Sequence, residues 1–156
     1  GINPIKRFTI QSNRGVSGID GSNSTALGFS ITSENENYLI TGDISFFYDR
    51  NAFWNNFIPN NFKIILLNNH EGGIFNMIPG PNNNKETLTY FTSTQNLTAS
   101  SLSKEFDLDY FYVQNENEIE HNLTSFLASK KCSIIEFKTN SKVNKEVLEL
   151  LKNIQN

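Results

Sequence analysis

The sequence predicts an α/β fold: a three-layer α/β/α domain around a mainly parallel sheet of five or six strands. Three observations carry that reading. Short apolar runs of strand length alternate with segments of helical period, the pattern of a parallel sheet with helices on both faces. The strongest run, Ile64-Ile65-Leu66-Leu67, is apolar at consecutive positions, as expected of a strand covered on both sides. The least regular segment, residues 72–84 with Pro79-Gly80-Pro81 and Asn82-Asn83-Asn84, follows directly on that strand. Proline and glycine at this density mark a loop, and open α/β sheets bind ligands at the carboxyl ends of their strands.

Taken in order, Phe8 to Ser12 reads as a first strand, Tyr38 to Thr41 as a second and Lys63 to Leu67 as the third. Tyr110 to Val113 and Ser133 to Lys138 complete a set of five. The segment after Asp43 reads as a helix that turns Phe47, Trp54 and Ile58 inward and stops at Pro59. Ile119, Leu123, Phe126 and Leu127 fall on one helical stripe, as do Val143, Val147, Leu151 and Ile154. Asn140 or Ser141 is available to cap the last of these helices.

The chain has 156 residues, the length of one domain, here 1–156, with a substantial core. Thirteen Phe and five Tyr supply much of that core's volume. A formal charge of -3 and a pI near 5.4, with no basic stripe, exclude nucleic acid as the expected partner. The single cysteine, Cys132, lies in an apolar run and reads as a buried small hydrophobe, which fits a reducing, cytoplasmic compartment. No stretch approaches the roughly 18 apolar residues of a membrane helix. The start at Gly1 without Met suggests a piece excised from a longer chain. Two sequon matches, at Asn96 and Asn122, are short and assigned no role.

Two segments carry chemistry. Thr41-Gly42-Asp43-Ile44-Ser45 ends one strand and opens a helix; Asn68-Asn69-His70-Glu71-Gly72-Gly73 ends the next long strand. Twenty-four residues, Ile44 to Leu67, separate the Gly-Asp pair from the Asn pair. That length holds one helix and one return strand, which brings both turns to one edge of the sheet. An Asp carboxylate, an Asn amide oxygen and a main-chain carbonyl two residues beyond the Asn offer three oxygens. Mg²⁺ takes about six at roughly 2.1 Å, retaining waters and phosphate oxygens for the rest. N–H groups at the start of the helix, including those of Ile44 and Ser45, would face a diphosphate. The plain alternative is a turn with an N-cap aspartate, in a chain rich in asparagine.

Gly42-Asp43 followed by Asn68-Asn69 resembles the signature of thiamin-diphosphate enzymes. Ser12-Asn13-Arg14-Gly15-Val16-Ser17-Gly18-Ile19-Asp20-Gly21, Gly42-Asp43-Ile44-Ser45-Phe46 with Asp49 and Asn51, and Asn68-Asn69 through Gly72-Gly73-Ile74-Phe75 resemble more narrowly the MenD branch. MenD enzymes are 2-succinyl-5-enolpyruvyl-6-hydroxy-3-cyclohexene-1-carboxylate synthases of menaquinone biosynthesis. The likeness is dense from about Ser12 to Pro79 and thin afterwards.

The resemblance implies a thiamin-diphosphate-dependent transferase that decarboxylates 2-oxoglutarate and adds the succinyl unit to isochorismate. It implies that Asp43, the side chain of Asn69 and the main-chain oxygen of Glu71 ligate Mg²⁺, or Mn²⁺ in its place. Gly42, Ile44 and Ser45 would join them in holding the cofactor, with Ile19 as the apolar wedge that bends it. Arg14 would bind a substrate carboxylate, unless it is a loop arginine paired with Asp20; Ile74 and Phe75 would line the substrate pocket, unless they and Ile19 are ordinary packing. The activating glutamate is expected on another domain, across a subunit interface of a dimer or tetramer, so no catalytic residue is expected in this chain and the chain alone should be inactive. Glu71 stands where the family has glycine, which the site tolerates if φ there is negative. Another thiamin-diphosphate 2-oxo acid decarboxylase, or an interaction module that keeps only the fold, are the alternatives.

Overall fold

Four strands, β1 (Asn37–Gly42), β2 (Phe62–Asn68), β3 (Asp109–Val113) and β4 (Ser133–Lys138), form one parallel sheet in the order β1-β2-β4-β3. The computed structural model describes residues 9–12, 18–76, 78, 80 and 84–154. Among the described residues six α-helices accompany the sheet: α1 (Ser22–Thr32), α2 (Asp43–Tyr48), α3 (Lys85–Thr92), α4 (Ser100–Glu105), α5 (Ile119–Ala128) and α6 (Ser141–Ile154). The sheet has four strands among the described residues rather than five or six. Residues 9–12 form no strand and are exposed, with Ile10 at 90%; Phe8, at the head of the expected first strand, lies outside the described residues.

The period of two along each strand divides the core. Ile64, Leu66 and Ile134 point to one face, where Leu27 of α1, Phe46 of α2, Leu102 of α4 and Phe53 close over them. Ile135 and Val113 point to the other, where Phe126 and Leu123 of α5 cover them with Phe111 and Phe137. Helices therefore lie on both faces, as the alternation of elements predicts. Among the described residues, cover on the second face thins out over β1 and the end of β2. Tyr38, Ile40 and Leu67 remain 45%, 68% and 45% exposed there.

Lys63 is a charged residue in this core, 1% exposed. Its Nζ donates to the carbonyls of Ser129, at 2.7 Å, and Lys131, at 3.1 Å, just past the end of α5, where a helix dipole favours a cation. The stem crosses Phe126, with Nζ 6.0 Å from the ring centroid.

The helix after Asp43 is shorter than the sequence suggests, and its inward face differs. α2 stops at Tyr48, and a 3₁₀ turn (Arg50–Phe53) follows. Phe46, Ala52 and Phe53 are buried, whereas Trp54 is 76% exposed. Asp49 ties this end to α1, its carboxylate accepting from Ser24 N and Ser24 Oγ at 2.7 Å each. Asn23, fully buried, donates to the carbonyls of Phe46 (2.8 Å) and Asp49 (3.1 Å). It thereby satisfies main-chain acceptors at the end of α2 that the helix leaves open.

The remaining expectations divide. Cys132 is buried and its thiol is pushed up to about 12, chiefly by burial. Asn140, rather than Ser141, caps α6, its Oδ1 accepting from Lys142 N and Val143 N. The α6 stripe itself is not packed: Val143, Val147 and Leu151 are all about half exposed.

Phe126 is the most consequential single side chain on the second face, edge-on to both Tyr38 and Phe111. Phe126→Ala should lower unfolding stability by about 3–5 kcal/mol, read as a lower urea midpoint.

Candidate functional site

The register of β1 against β2 pairs Gly42 with Leu67 in parallel, so both strands end at the same edge. Asp43 begins α2 immediately beyond β1, and Asn68 is the last residue of β2. The 24-residue spacing thus does what the sequence predicts: it brings the two turns together.

Asp43 is 2% exposed. Its Oδ2 accepts from Gln95 Nε2 at 2.7 Å. The terminal amide atom of Asn69 that faces Asp43 lies 3.0 Å from Oδ1 and 2.8 Å from the Glu71 carbonyl oxygen. Without a cation, the amide nitrogen takes that position and donates to both oxygens. Turned the other way, the amide places three oxygens against one another, an arrangement that requires a cation to hold it. The three groups that the resemblance implicates therefore converge on one point.

The backbone supports this geometry. The residue in the left-handed region is His70, with φ 64°, and Glu71 is not among the non-glycine residues with positive φ. The family's glycine can therefore be a glutamate here without strain. The Glu71 side chain turns away to accept from Asn76 Nδ2 at 2.7 Å, and its carbonyl also accepts from Gly73 N at 2.9 Å. Gly73 has a steric reason to be glycine: a Cβ there would lie 2.6 Å from the terminal amide atom of Asn69 that points away from Asp43. At Gly42, φ is -86° and the space a Cβ would fill is open.

Ile19, 40% exposed, sits just before α1, and its carbonyl accepts from Ser45 Oγ at 3.0 Å. Ser45 Oγ also lies 2.6 Å from Ser22 Oγ, so α1 and the start of α2 are tied beside Asp43. Ile74 and Phe75 form the 3₁₀ turn after Gly72 (Gly73–Asn76). Ile74 is 62% exposed, while Phe75 packs against Phe91 of α3, centroids 5.3 Å apart. Arg14 lies outside the described residues.

Burial holds the Asp43 carboxyl above its ordinary value of 3.8, a shift that the hydrogen bond from Gln95 opposes. Sequence reasoning missed Gln95, for which Gln95-Asn96-Leu97 offers no signal. It also missed Glu136, 0% exposed, although a lone acid inside the apolar strand Ser133–Lys138 was there to be noticed.

The family model for the thiamine pyrophosphate enzyme, C-terminal TPP binding domain, matches residues 3–137. The chain belongs to this family. Among curated relatives of this thiamine pyrophosphate domain, a 2-succinyl-5-enolpyruvyl-6-hydroxy-3-cyclohexene-1-carboxylate synthase of Christiangramia forsetii is 48% identical over 144 residues, covering 92% of this chain and 25% of the relative. Proteins of the same name from Flavobacterium psychrophilum and Cytophaga hutchinsonii are 52% identical over 136 residues and 46% over 141. These alignments cover 87% and 90% of this chain and 25% of each relative. The chain thus spans about a quarter of the length of the curated relatives it matches. The resemblance to the MenD branch is borne out.

The raised Asp43 value has a consequence for stability. A carboxylate whose folded pKa lies above its unfolded value loses stability as pH rises from the unfolded value through the folded one, and the penalty is constant above both. Asp43→Asn should therefore raise the metal-free melting temperature at pH 7 by a few degrees. The gain should shrink as pH falls through the raised value and vanish below about 3.8, as thermal denaturation at a series of pH values would show.

Proposed function

We propose that this chain binds Mg²⁺, or Mn²⁺ in its place, together with the diphosphate of thiamin diphosphate. On this reading it forms part of the active site of a synthase that decarboxylates 2-oxoglutarate and adds the succinyl unit to isochorismate. The observation that carries the metal reading is the convergence of Asp43 Oδ1, the Asn69 amide and the Glu71 carbonyl at 2.8–3.0 Å. Adjacent ligands of an octahedral ion with bonds of about 2.1 Å lie about 3.0 Å apart. The donor set is hard oxygen throughout, with one carboxylate, as suits an ion that shares its shell with a diphosphate.

Asp43, Asn69 and the Glu71 carbonyl hold the ion. The open space beside Gly42 lets a phosphate approach the main chain, and Ile44 and Ser45 contribute N–H groups at the start of α2. Ile19, fixed through its carbonyl by Ser45, serves as the apolar wedge under the cofactor. Arg14 binds a substrate carboxylate with its planar guanidinium, and Ile74 and Phe75 line the substrate pocket. Bound thiamin diphosphate supplies the carbanion chemistry of 2-oxo acid decarboxylation.

Further domains of the same polypeptide, in a homodimer or homotetramer, complete the site with the activating glutamate, and the assembly works in the cytoplasm. The chain 1–156 acts as one diphosphate-binding domain of that enzyme. That the alignments cover about a quarter of each relative supports the presence of further domains.

Calorimetric titration with thiamin diphosphate should show binding that depends on Mg²⁺ and disappears in Asp43→Ala. Binding to neither this chain nor the complete polypeptide would overturn the metal and diphosphate assignment. Assayed with 2-oxoglutarate and isochorismate, the 156-residue chain should show no turnover; product formation by the chain alone would refute the need for a second domain.

A further inference from the structure

Behind Asp43 runs a chain of buried polar groups that extends into the core. Tyr110 Oη donates to Glu136 Oε2 at 2.7 Å, and Ala99 N donates to the same oxygen at 2.8 Å. Asn68 Nδ2 donates to Glu136 Oε1 at 2.7 Å and to the Leu97 carbonyl at 2.9 Å. Asn68 Oδ1 accepts from His70 N at 3.0 Å and from Gln95 Nε2 at 3.2 Å. Gln95 Nε2 then donates to Asp43 Oδ2 at 2.7 Å, and Gln95 Oε1 accepts from Leu97 N. Glu136 and Asn68 are both 0% exposed.

These bonds leave no slack. The Asn68 amide spends both hydrogens and both acceptor sites, and Gln95 spends both hydrogens of its amide nitrogen. Reversing Asn68 would set its oxygen against the Glu136 carboxylate; reversing Gln95 would set its oxygen against Asp43. Two amides therefore stand between two carboxylates, each in the one orientation that satisfies both neighbours. Gln95 is held by its backbone as well, its N–H donating to the His70 carbonyl at 2.9 Å. That bond ties it to the turn that carries Asn69 and Glu71.

A terminal carboxylate torsion is broad and soft. With Oδ2 held by Gln95, that torsion is fixed and Oδ1 is left toward Asn69 and Glu71. We propose that Gln95 is a positioning residue for the metal site, fixing the Asp43 carboxylate through the Asn68–Glu136–Tyr110 network so that the site selects Mg²⁺ over larger ions. This rests on the metal reading given above. The selectivity follows from the ions themselves, since Mg²⁺ demands near-ideal octahedral geometry and Ca²⁺ tolerates irregular sites at longer distances.

The test measures Mg²⁺ and Ca²⁺ dissociation constants by calorimetry on the complete polypeptide with thiamin diphosphate present. Wild type is compared with Gln95→Met, which keeps length without a donor, and with Asp43→Ala. Gln95→Asn keeps an amide but is a methylene too short to reach Asp43, and it repeats the test if Gln95→Met does not fold. The expected result is Mg²⁺ binding weakened about tenfold or more and Ca²⁺ binding changed by less than about threefold, whatever the variant costs in metal-free stability. Equal losses for both ions would mean a purely structural Gln95 and overturn the proposal. Unchanged Mg²⁺ binding in the Gln95 variants, with binding lost in Asp43→Ala, would overturn positioning and leave the metal site standing. A wild type that binds neither ion would remove the metal reading and this inference with it.

Discussion

Everything at the candidate site depends on the parallel pairing of β1 with β2. Because Gly42 stands beside Leu67, the residues that follow each strand leave the sheet at the same edge, Asp43 into a helix and Asn69 into a turn. A shift of one residue in this register would turn every side chain of one strand to the opposite face. The register is set by the core: Ile64 and Leu66 must enter the first cluster while Ile65 enters the second. The site geometry is in this sense a by-product of how a strand covered on both faces divides its apolar residues.

Polar groups in the interior then refine what the register places. Buried carboxylates and amides are costly unless satisfied, and this chain carries several: Asn23 under α2, Asn68 and Glu136 behind the site, Lys63 under the end of α5. Each has partners at hydrogen-bond distance, and most of these partners are main-chain groups at the ends of elements. The polar core therefore fixes where strands and helices begin and end. At Asp43 burial disfavours the charge, and the hydrogen bond from Gln95 opposes that effect.

Among the described residues, Tyr38, Ile40 and Leu67 are left exposed on the second face. Apolar surface of this kind is ordinarily closed by another element or subunit. The stripe of α6 belongs to the same picture: its period is helical and its cap forms, yet Val143, Val147 and Leu151 stay about half exposed.

The sequence by itself determined the four strands, three of the helices and the chemistry at the strand ends, but not α1, α3 or α4. Local signals sufficed for this, since the consecutive apolar residues 64–67, the Gly-Asp turn and the Asn pair are each read within a few positions. The same locality limited the reading. Of Phe47, Trp54 and Ile58, Phe47 and Ile58 do pack against the first cluster, while Trp54 is exposed because α2 ends at Tyr48 and the 3₁₀ turn that follows changes the phase. Phe8 to Ser12 looked like a strand, but a strand needs a neighbour to pair with, and residues 9–12 have none among the described residues. Gln95 was illegible because it acts across 52 residues on Asp43, through a hydrogen bond that no spacing rule encodes. Tertiary structure alone decided which oxygen of Asp43 faces Gln95 and which faces Asn69, which way Asn68 faces, and that His70 rather than Glu71 takes the left-handed turn, because each depends on the partners that folding brings together.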